Sequence, residues 1–334
     1  MSRILVTGAT CPLGSALCRR LVDDGHQVVG VGRRVAAFPH LPPEHFTSVM
    51  IDLTAALSVE PWLTGCDGVI HAAALASPWA PPAELARTNV TATAALLDAA
   101  RRAGVRRFVH ISSASVTFCG THALDVREDA PFPQRWLCAY SASKAAAETI
   151  VRAASGIETA ILRPRALYGP GDRTLLPRLL ARAKRGRLHR IGRRDVQQSL
   201  TYIDNAVEAC VLALNGPSGR TWNVADDEPI ALWQTIDRVL QGCGLPPAGR
   251  PVSATAVRLL AGASEALHRL LPVLGEPPLT RYTAALLSCD QTLDLTAIRR
   301  DLGYRAVVPG ALALQRTIAS LSSENHGAEA ACST

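Results

Sequence analysis

The sequence predicts an α/β fold, a doubly wound parallel sheet with a smaller C-terminal lobe. A strand, a glycine turn and a helix open the chain, and short apolar strands alternate with helical patterns behind them. With 334 residues, 48% of them hydrophobic, the chain can bury a substantial core.

Arg3 to Thr7, centred on Ile4-Leu5-Val6, reads as a buried strand. It runs straight into Gly8-Ala9-Thr10-Cys11-Pro12-Leu13-Gly14 and then the helical pattern SALCRRLVDDG. A second apolar strand, Gln27 to Val31, follows Gly25 and completes one βαβ half-unit. In such a Rossmann-type unit the free N–H groups of the helix N-terminus face a pyrophosphate, and Gly8 and Gly14 let the backbone approach it. Thr10, Cys11 and Leu13 lie in the same turn and are expected to touch the dinucleotide. Cys11 stands where this kind of turn usually has its middle glycine, which leaves two readings: the turn tolerates it, or its Cβ crowds the pyrophosphate or changes the turn. At the second strand's tip, Gly32-Arg33-Arg34 offers two guanidiniums and no carboxylate. Arg33 and Arg34 suit a 2′-phosphate, which predicts NADP as cofactor, with NADPH preferred over NADH. Met50-Ile51-Asp52-Leu53 closes a third strand where Asp52 and Leu53 would meet the adenine. His71-Ala72-Ala73-Ala74 closes a fourth, with Ala72 and Ala73 small enough for a cofactor to lie close.

Residues 1–165 are thus expected to be mainly the dinucleotide-binding domain. Residues 166–320 would be mainly a substrate-binding lobe, with the chain crossing back to the sheet. Residues 321–334, small and polar, read as a disordered tail.

The alanine-rich stretch AYSASKAAAETIVRAA favours helix and sets Tyr140 and Lys144 one turn apart on one face. A phenol ordinarily titrates near about 10. An ammonium beside it favours phenolate and lowers that value, which suits a residue that passes a proton to or from a substrate oxygen.

The glycine turn, Asp52-Leu53, HAAA at 71–74, Asn89-Val90, ISSAS at 111–115, YSASK at 140–144, Arg163-Pro164 and Tyr168-Gly169-Pro170-Gly171 come in a telling order. Together they resemble the extended short-chain dehydrogenase/reductase superfamily over nearly the whole chain. Trp79, LRPRALYGPGDRTLLPRLL at 162–180, GEPPLTRY at 275–282 and DLGYRA at 301–306 resemble its 3β-hydroxysteroid dehydrogenase-like branch, which includes bacterial 2-alkyl-3-oxoalkanoate reductases. The resemblance implies that Tyr140 donates the proton to a carbonyl oxygen, that Lys144 lowers its pKa and holds the nicotinamide ribose, and that Ser113 polarises the same oxygen. Ser112 and Ser115 would bond loop backbone, Ser115 also bordering the substrate. Asn89 and Pro164 would support the cofactor, Trp79 and Tyr168 would line the substrate cavity, and the helices of Tyr140 and Asn89 would form a homodimer interface.

The expected chemistry is NADPH-dependent reduction of a ketone, or the reverse alcohol oxidation, on a hydrophobic molecule such as a 3-oxoacyl, polyketide-like or sterol-like compound. An NAD-dependent nucleotide-sugar epimerase or dehydratase is the alternative. Ala114-Ser115 stands where dehydratases usually carry an acidic pair, and Arg33-Arg34 suits NAD poorly. A non-catalytic cofactor-binding protein is the other alternative, encouraged only by Cys11.

Nine cysteines without a CxxC pair or zinc spacing read as reduced thiols, and no metal is implied. No run approaches the roughly 18 apolar residues of a membrane span, and no charged-then-apolar leader precedes Ile4, so a soluble cytoplasmic protein is expected. The net charge of +7 gathers partly in Arg178, Arg182, Lys184, Arg185, Arg187, Arg190, Arg193 and Arg194. Without interleaved aromatics this stretch does not suggest nucleic acid; it suits an anionic substrate handle such as phosphopantetheine. Between Ser253 and Leu274, leucines at helical spacing predict an amphipathic segment, either packed as core or dimer surface or lying over the pocket mouth.

Overall fold

The computed structural model describes residues 1–36, 38, 40–55, 59–172 and 176–332, with side chains as far as residue 323. The chain opens with β1 (Arg3–Thr7), α1 (Pro12–Asp23), β2 (Gln27–Gly32), β3 (Phe46–Met50), the short α2 (Glu60–Leu63) and β4 (Gly68–His71). Next, α3 (Pro82–Leu85) passes through a π-helical turn at Ala86–Thr91 into α4 (Ala92–Arg102). β5 (Arg107–Ile111), β6 (Ala123–Val126), α5 (Ala139–Arg152) and β7 (Glu158–Pro164) follow. The second half begins with β8 (Leu167–Tyr168), α6 (Leu176–Lys184), β9 (His189–Ile191), β10 (Gln197–Gln198), β11 (Thr201–Tyr202), α7 (Ile203–Asn215) and β12 (Arg220–Val224). It ends with β13 (Ile230–Ala231), α8 (Leu232–Gly242), β14 (Gly249–Val252), α9 (Ala254–Leu270), α10 (Arg281–Leu286), β15 (Gln291–Leu293), α11 (Thr296–Leu302) and α12 (Gly310–Cys332).

Seven parallel strands form the main sheet in the order β12-β7-β5-β4-β1-β2-β3. The strands are apolar runs because both faces are covered. Leu17 and Leu21 of α1 and Val207 of α7 bury one face, while Leu96 and Leu97 of α4 and Val151 of α5 bury the other. The strand order reverses between β1 and β4, and the crevice beyond their C-terminal ends is where such a sheet receives a ligand.

The two halves interlace. β12 completes the main sheet beside β7, whereas β6 leaves it to join a small sheet ordered β13-β10-β15-β6. α12 continues to Cys332 through a stretch where a disordered tail was expected from residue 321. Ala313, Thr317 and Leu321 recur every fourth residue and bury one stripe of its first part.

Candidate active site

Pairing of Thr7 with His71 sets Gly8 against the small residues that follow β4. Gly8 has φ of 72°, and a Cβ there would lie 3.0 Å from the Ala73 backbone. At Gly14 a Cβ would meet the Gly8 carbonyl oxygen at 2.1 Å, so the turn closes only with glycine at both places. Cys11, by contrast, is extended at φ −88° and ψ 160°, a conformation open to any L-residue. Its Sγ accepts from the Gly14 N–H at 3.4 Å and caps α1, with Pro12 following. The turn thus tolerates Cys11, whose sulfur folds back onto its own helix. Burial raises the thiol's pKa above its ordinary 9, so it stays protonated at neutral pH. A glycine cradle at a helix N-terminus fits a dinucleotide pyrophosphate.

Thr10 packs at the end of β2, where a Cβ on Gly32 would meet its Oγ1 at 3.2 Å. Beyond it Arg33 and Arg34 are exposed at the strand tip. Asp52 accepts from the Thr54 backbone N–H and hydroxyl and shares a shallow recess with Leu53, Val59 and Ala92. Those hydrogen bonds hold its carboxyl below the usual range, with the Arg33 charge adding to the effect.

Cys11, Leu13, Ala72, Ser113, Tyr140, Lys144, Pro164 and Tyr168 all border one cavity of about 590 Å³. Ser113 comes from the end of β5, where its Oγ accepts the Ser115 N–H at 3.2 Å and caps a 3₁₀ turn at Ala114–Thr117. Tyr140 and Lys144 come from the first turns of α5 and project into the cavity together. Burial raises the Tyr140 phenol well above its ordinary value, and a hydrogen bond with Ser113 opposes this. Among the described residues no hydrogen bond joins Lys144 to that phenol. The Lys144 ammonium donates instead to the Ile111 carbonyl, and burial lowers its own pKa to about 8 while Glu148 acts in the opposite direction.

Two networks hold these groups. Asn89 is buried and fully engaged: its Oδ1 accepts from the Leu75 N–H at 2.8 Å, and its Nδ2 donates to the Leu75 carbonyl and to Ser143 Oγ at 2.9 Å. Ser143 in turn donates to the Tyr140 carbonyl at 2.7 Å. Asn89 therefore acts by tying the segment after β4 to the helix of Tyr140. One turn beyond Lys144, Glu148 accepts from Arg163 Nε at 2.9 Å and Nη2 at 2.8 Å, and from Ser112 Oγ. Ser112 thus bonds a side chain where loop backbone was expected. Thr7 and Thr93 flank His71 at 2.7 and 2.9 Å, and burial drops that imidazole to about 3, so it is neutral.

Other expected residues lie elsewhere. Trp79 does not line the cavity; its ring packs against His268 and Arg269 at the end of α9, with centroid distances of 6.5 and 5.4 Å. Ser115 is buried behind the wall beside Tyr282. Tyr168 does line the cavity, with its hydroxyl donating to Asp226 at 2.7 Å. The basic stretch is dispersed. Arg178 and Arg182 pair with Glu276 and the Pro278 carbonyl near the mouth, whereas Arg190 and Arg194 pair with Asp237 and Asp290. Val257 of α9 reaches the cavity, but Leu259, Leu260, Leu267 and Leu270 face solvent. The inward face of α9 holds Ala261 and Glu265, the latter bonded to Arg281. Sequence reading missed Arg165, Gln198, Glu148 and Tyr282; the available signal was charge inside the apolar run ILRPRALY.

Residues 4–225 match the model of the NAD dependent epimerase/dehydratase family. The chain belongs to that family. It is similar to a 2-alkyl-3-oxoalkanoate reductase of Shewanella oneidensis, 33% identical over 96% of this chain and 87% of the relative. It is also similar to the 4-hydroxy-2-methyl-3-oxo-4-farnesyl-3,4-dihydroquinoline-1-oxide ketoreductase of Stigmatella aurantiaca, 32% identical over 90% and 91%. A UDP-glucuronic acid 4-epimerase from Bacillus cereus, solved with NAD, shares the fold at a TM-score of 0.73 and 21% identity, covering 96% of this chain and 99% of that one. The expected extended short-chain dehydrogenase/reductase fold and oxidoreductase class hold for this family member, whose similar proteins include ketoreductases. No helix among the described residues is long and apolar enough to cross a membrane.

Proposed function

We propose that the protein is an NADPH-dependent ketoreductase acting on a hydrophobic 3-oxo compound. The observation that carries this reading is that Ser113, Tyr140 and Lys144 border the same largely apolar cavity as Cys11, Pro12 and Leu13 of the glycine turn. The names of the similar proteins support the same substrate class.

Gly8, Gly14 and the N-terminus of α1 would hold the pyrophosphate, Arg33 and Arg34 the 2′-phosphate, Asp52 and Leu53 the adenine, and Lys144 and Pro164 the nicotinamide end. The bound nicotinamide supplies the hydride. Ser113 and Tyr140 donate hydrogen bonds to the carbonyl oxygen, where negative charge develops. Burial keeps the Tyr140 phenol protonated at neutral pH, so it enters the reaction as an acid. Lys144, one turn along, favours the phenolate left behind. Dimerisation through α5 and the Asn89 segment, in the cytoplasm, belongs to the same reading. A phosphopantetheine thioester approaching past Arg178 and Arg182 is one form the substrate would take.

The test follows NADPH oxidation with 3-oxo substrates. Tyr140→Phe should lower turnover by about a hundred- to ten-thousand-fold while calorimetry finds NADPH affinity nearly unchanged. Activity that survives the substitution removes Tyr140 from the reaction.

A further inference from the structure

The substrate cavity holds a charge that the fold leaves uncompensated. Arg165 follows β7 directly, is 3% exposed and forms part of the cavity wall. Among the described residues no carboxylate pairs with it. Its side chain makes one hydrogen bond, from Nη2 to Gln198 Oε1 at 2.7 Å, and its Nε is buried without a partner. The guanidinium lies 5.7 Å from the centre of the Phe118 ring, which attracts the cation without neutralising it.

This arrangement is held in place. Gln198 donates through Nε2 to the carbonyls of Leu286 and Cys289, which turns its oxygen toward Arg165. A buried lysine can shed its proton to escape the cost of burial, but a guanidinium cannot. Burial draws the Arg165 pKa down, yet the group remains a cation. Tyr282 and Tyr140 line the same cavity as Arg165.

We propose that Arg165 is the receptor for a carboxylate on the substrate, so that the cavity takes an apolar 3-oxo or 3-hydroxy acid in free form, in preference to its ester or thioester. A carboxylate in the cavity supplies the negative charge that this guanidinium lacks. The apolar remainder of the cavity takes the chain. This proposal rests on the ketoreductase reading for its choice of acid, but its binding step can be tested without turnover.

The experiment is calorimetry of decanoate, decanamide and S-decanoyl-N-acetylcysteamine against the wild-type protein and against Arg165→Met and Arg165→Lys. Wild type should bind decanoate at least about tenfold more tightly than either neutral probe. Arg165→Met should weaken decanoate by about 30-fold or more and leave decanamide unchanged, with partial recovery in Arg165→Lys. Equal affinity of the wild type for acid and amide overturns the proposal, and that comparison stands even if the methionine variant does not fold. Equal loss of both probes in Arg165→Met overturns it as well. In parallel, 3-hydroxydecanoate and its methyl ester are offered with NADP. Failure of both to react, with decanoate still preferred, retires the ketoreductase reading and leaves the carboxylate receptor standing.

Discussion

The cofactor half and the substrate side of the cavity bury arginines in opposite ways. Arg163, 1% exposed, is closed off by a bidentate carboxylate, since Glu148 takes two of its N–H groups and Ser112 and Arg152 complete the cluster. Arg165, two residues later and 3% exposed, has only a neutral amide and an aromatic face. Both side chains come from the end of one central strand. Their environments differ because Arg163 lies toward α5 and its Glu148, whereas Arg165 meets the small sheet through Gln198. If Arg165 receives a substrate carboxylate, its missing counter-charge serves recognition, whereas the Arg163 charge is met by Glu148 within the chain.

That contrast predicts stabilities of different size. Arg163→Met strands Glu148 in the interior and should cost about 3–5 kcal/mol, measured by urea unfolding. Arg165→Met strands no carboxylate and should change stability by about 1 kcal/mol or less, in either direction. Comparable losses at the two sites would erase the distinction.

Lys144 offers a finer test, because it too is a buried cation, with Glu148 one turn away on its own helix. Burial lowers its pKa from the ordinary 10.5 to about 8. Between those values the unfolded chain keeps the proton and the folded chain has released it, so stability rises with pH across that window. Below about pH 8 the folded state carries the buried charge in full. Lys144→Met should therefore be more stable than wild type at pH 7, and urea titrations should find the gap narrowing toward pH 10. A gap that widens would mean that Glu148 and the Ile111 carbonyl more than compensate the ammonium.

The same contrast explains what could be read from the sequence. The first βαβ unit and the Tyr140–Lys144 pair were legible because they depend on local spacing: glycines that a turn requires, and a helix that puts i and i+4 on one face. Cys11 left the turn open to two readings because its residue type was visible and its extended φ and ψ were not. Trp79 and Ser115 misled because direction within a loop is set by distant partners, here α9 and Tyr282. Periodicity correctly gave α9 two faces but could not say which one packs inward. Glu265 paired with Arg281 put the polar side in and left Leu259 and Leu270 outside. Arg165 was hidden for a related reason, since its lack of a carboxylate emerges only when every neighbour from β10 and α10 is in place.

The smallest expected effect concerns a third kind of arginine. Arg33 lies exposed at the tip of β2, where water already solvates its charge and the nearby Asp52 carboxyl feels it. A partner gained there replaces hydration, so the net gain is modest compared with the same fork inside a cavity. If Arg33 meets the 2′-phosphate, Arg33→Ala should weaken NADPH by about tenfold and leave NADH unchanged in side-by-side calorimetry, with Arg34 retaining part of the preference. The dependence should fade as salt is raised, which a buried contact would resist. Equal weakening of both dinucleotides would instead tie Arg33 to the turn itself, and the preference for NADPH would lose its structural basis.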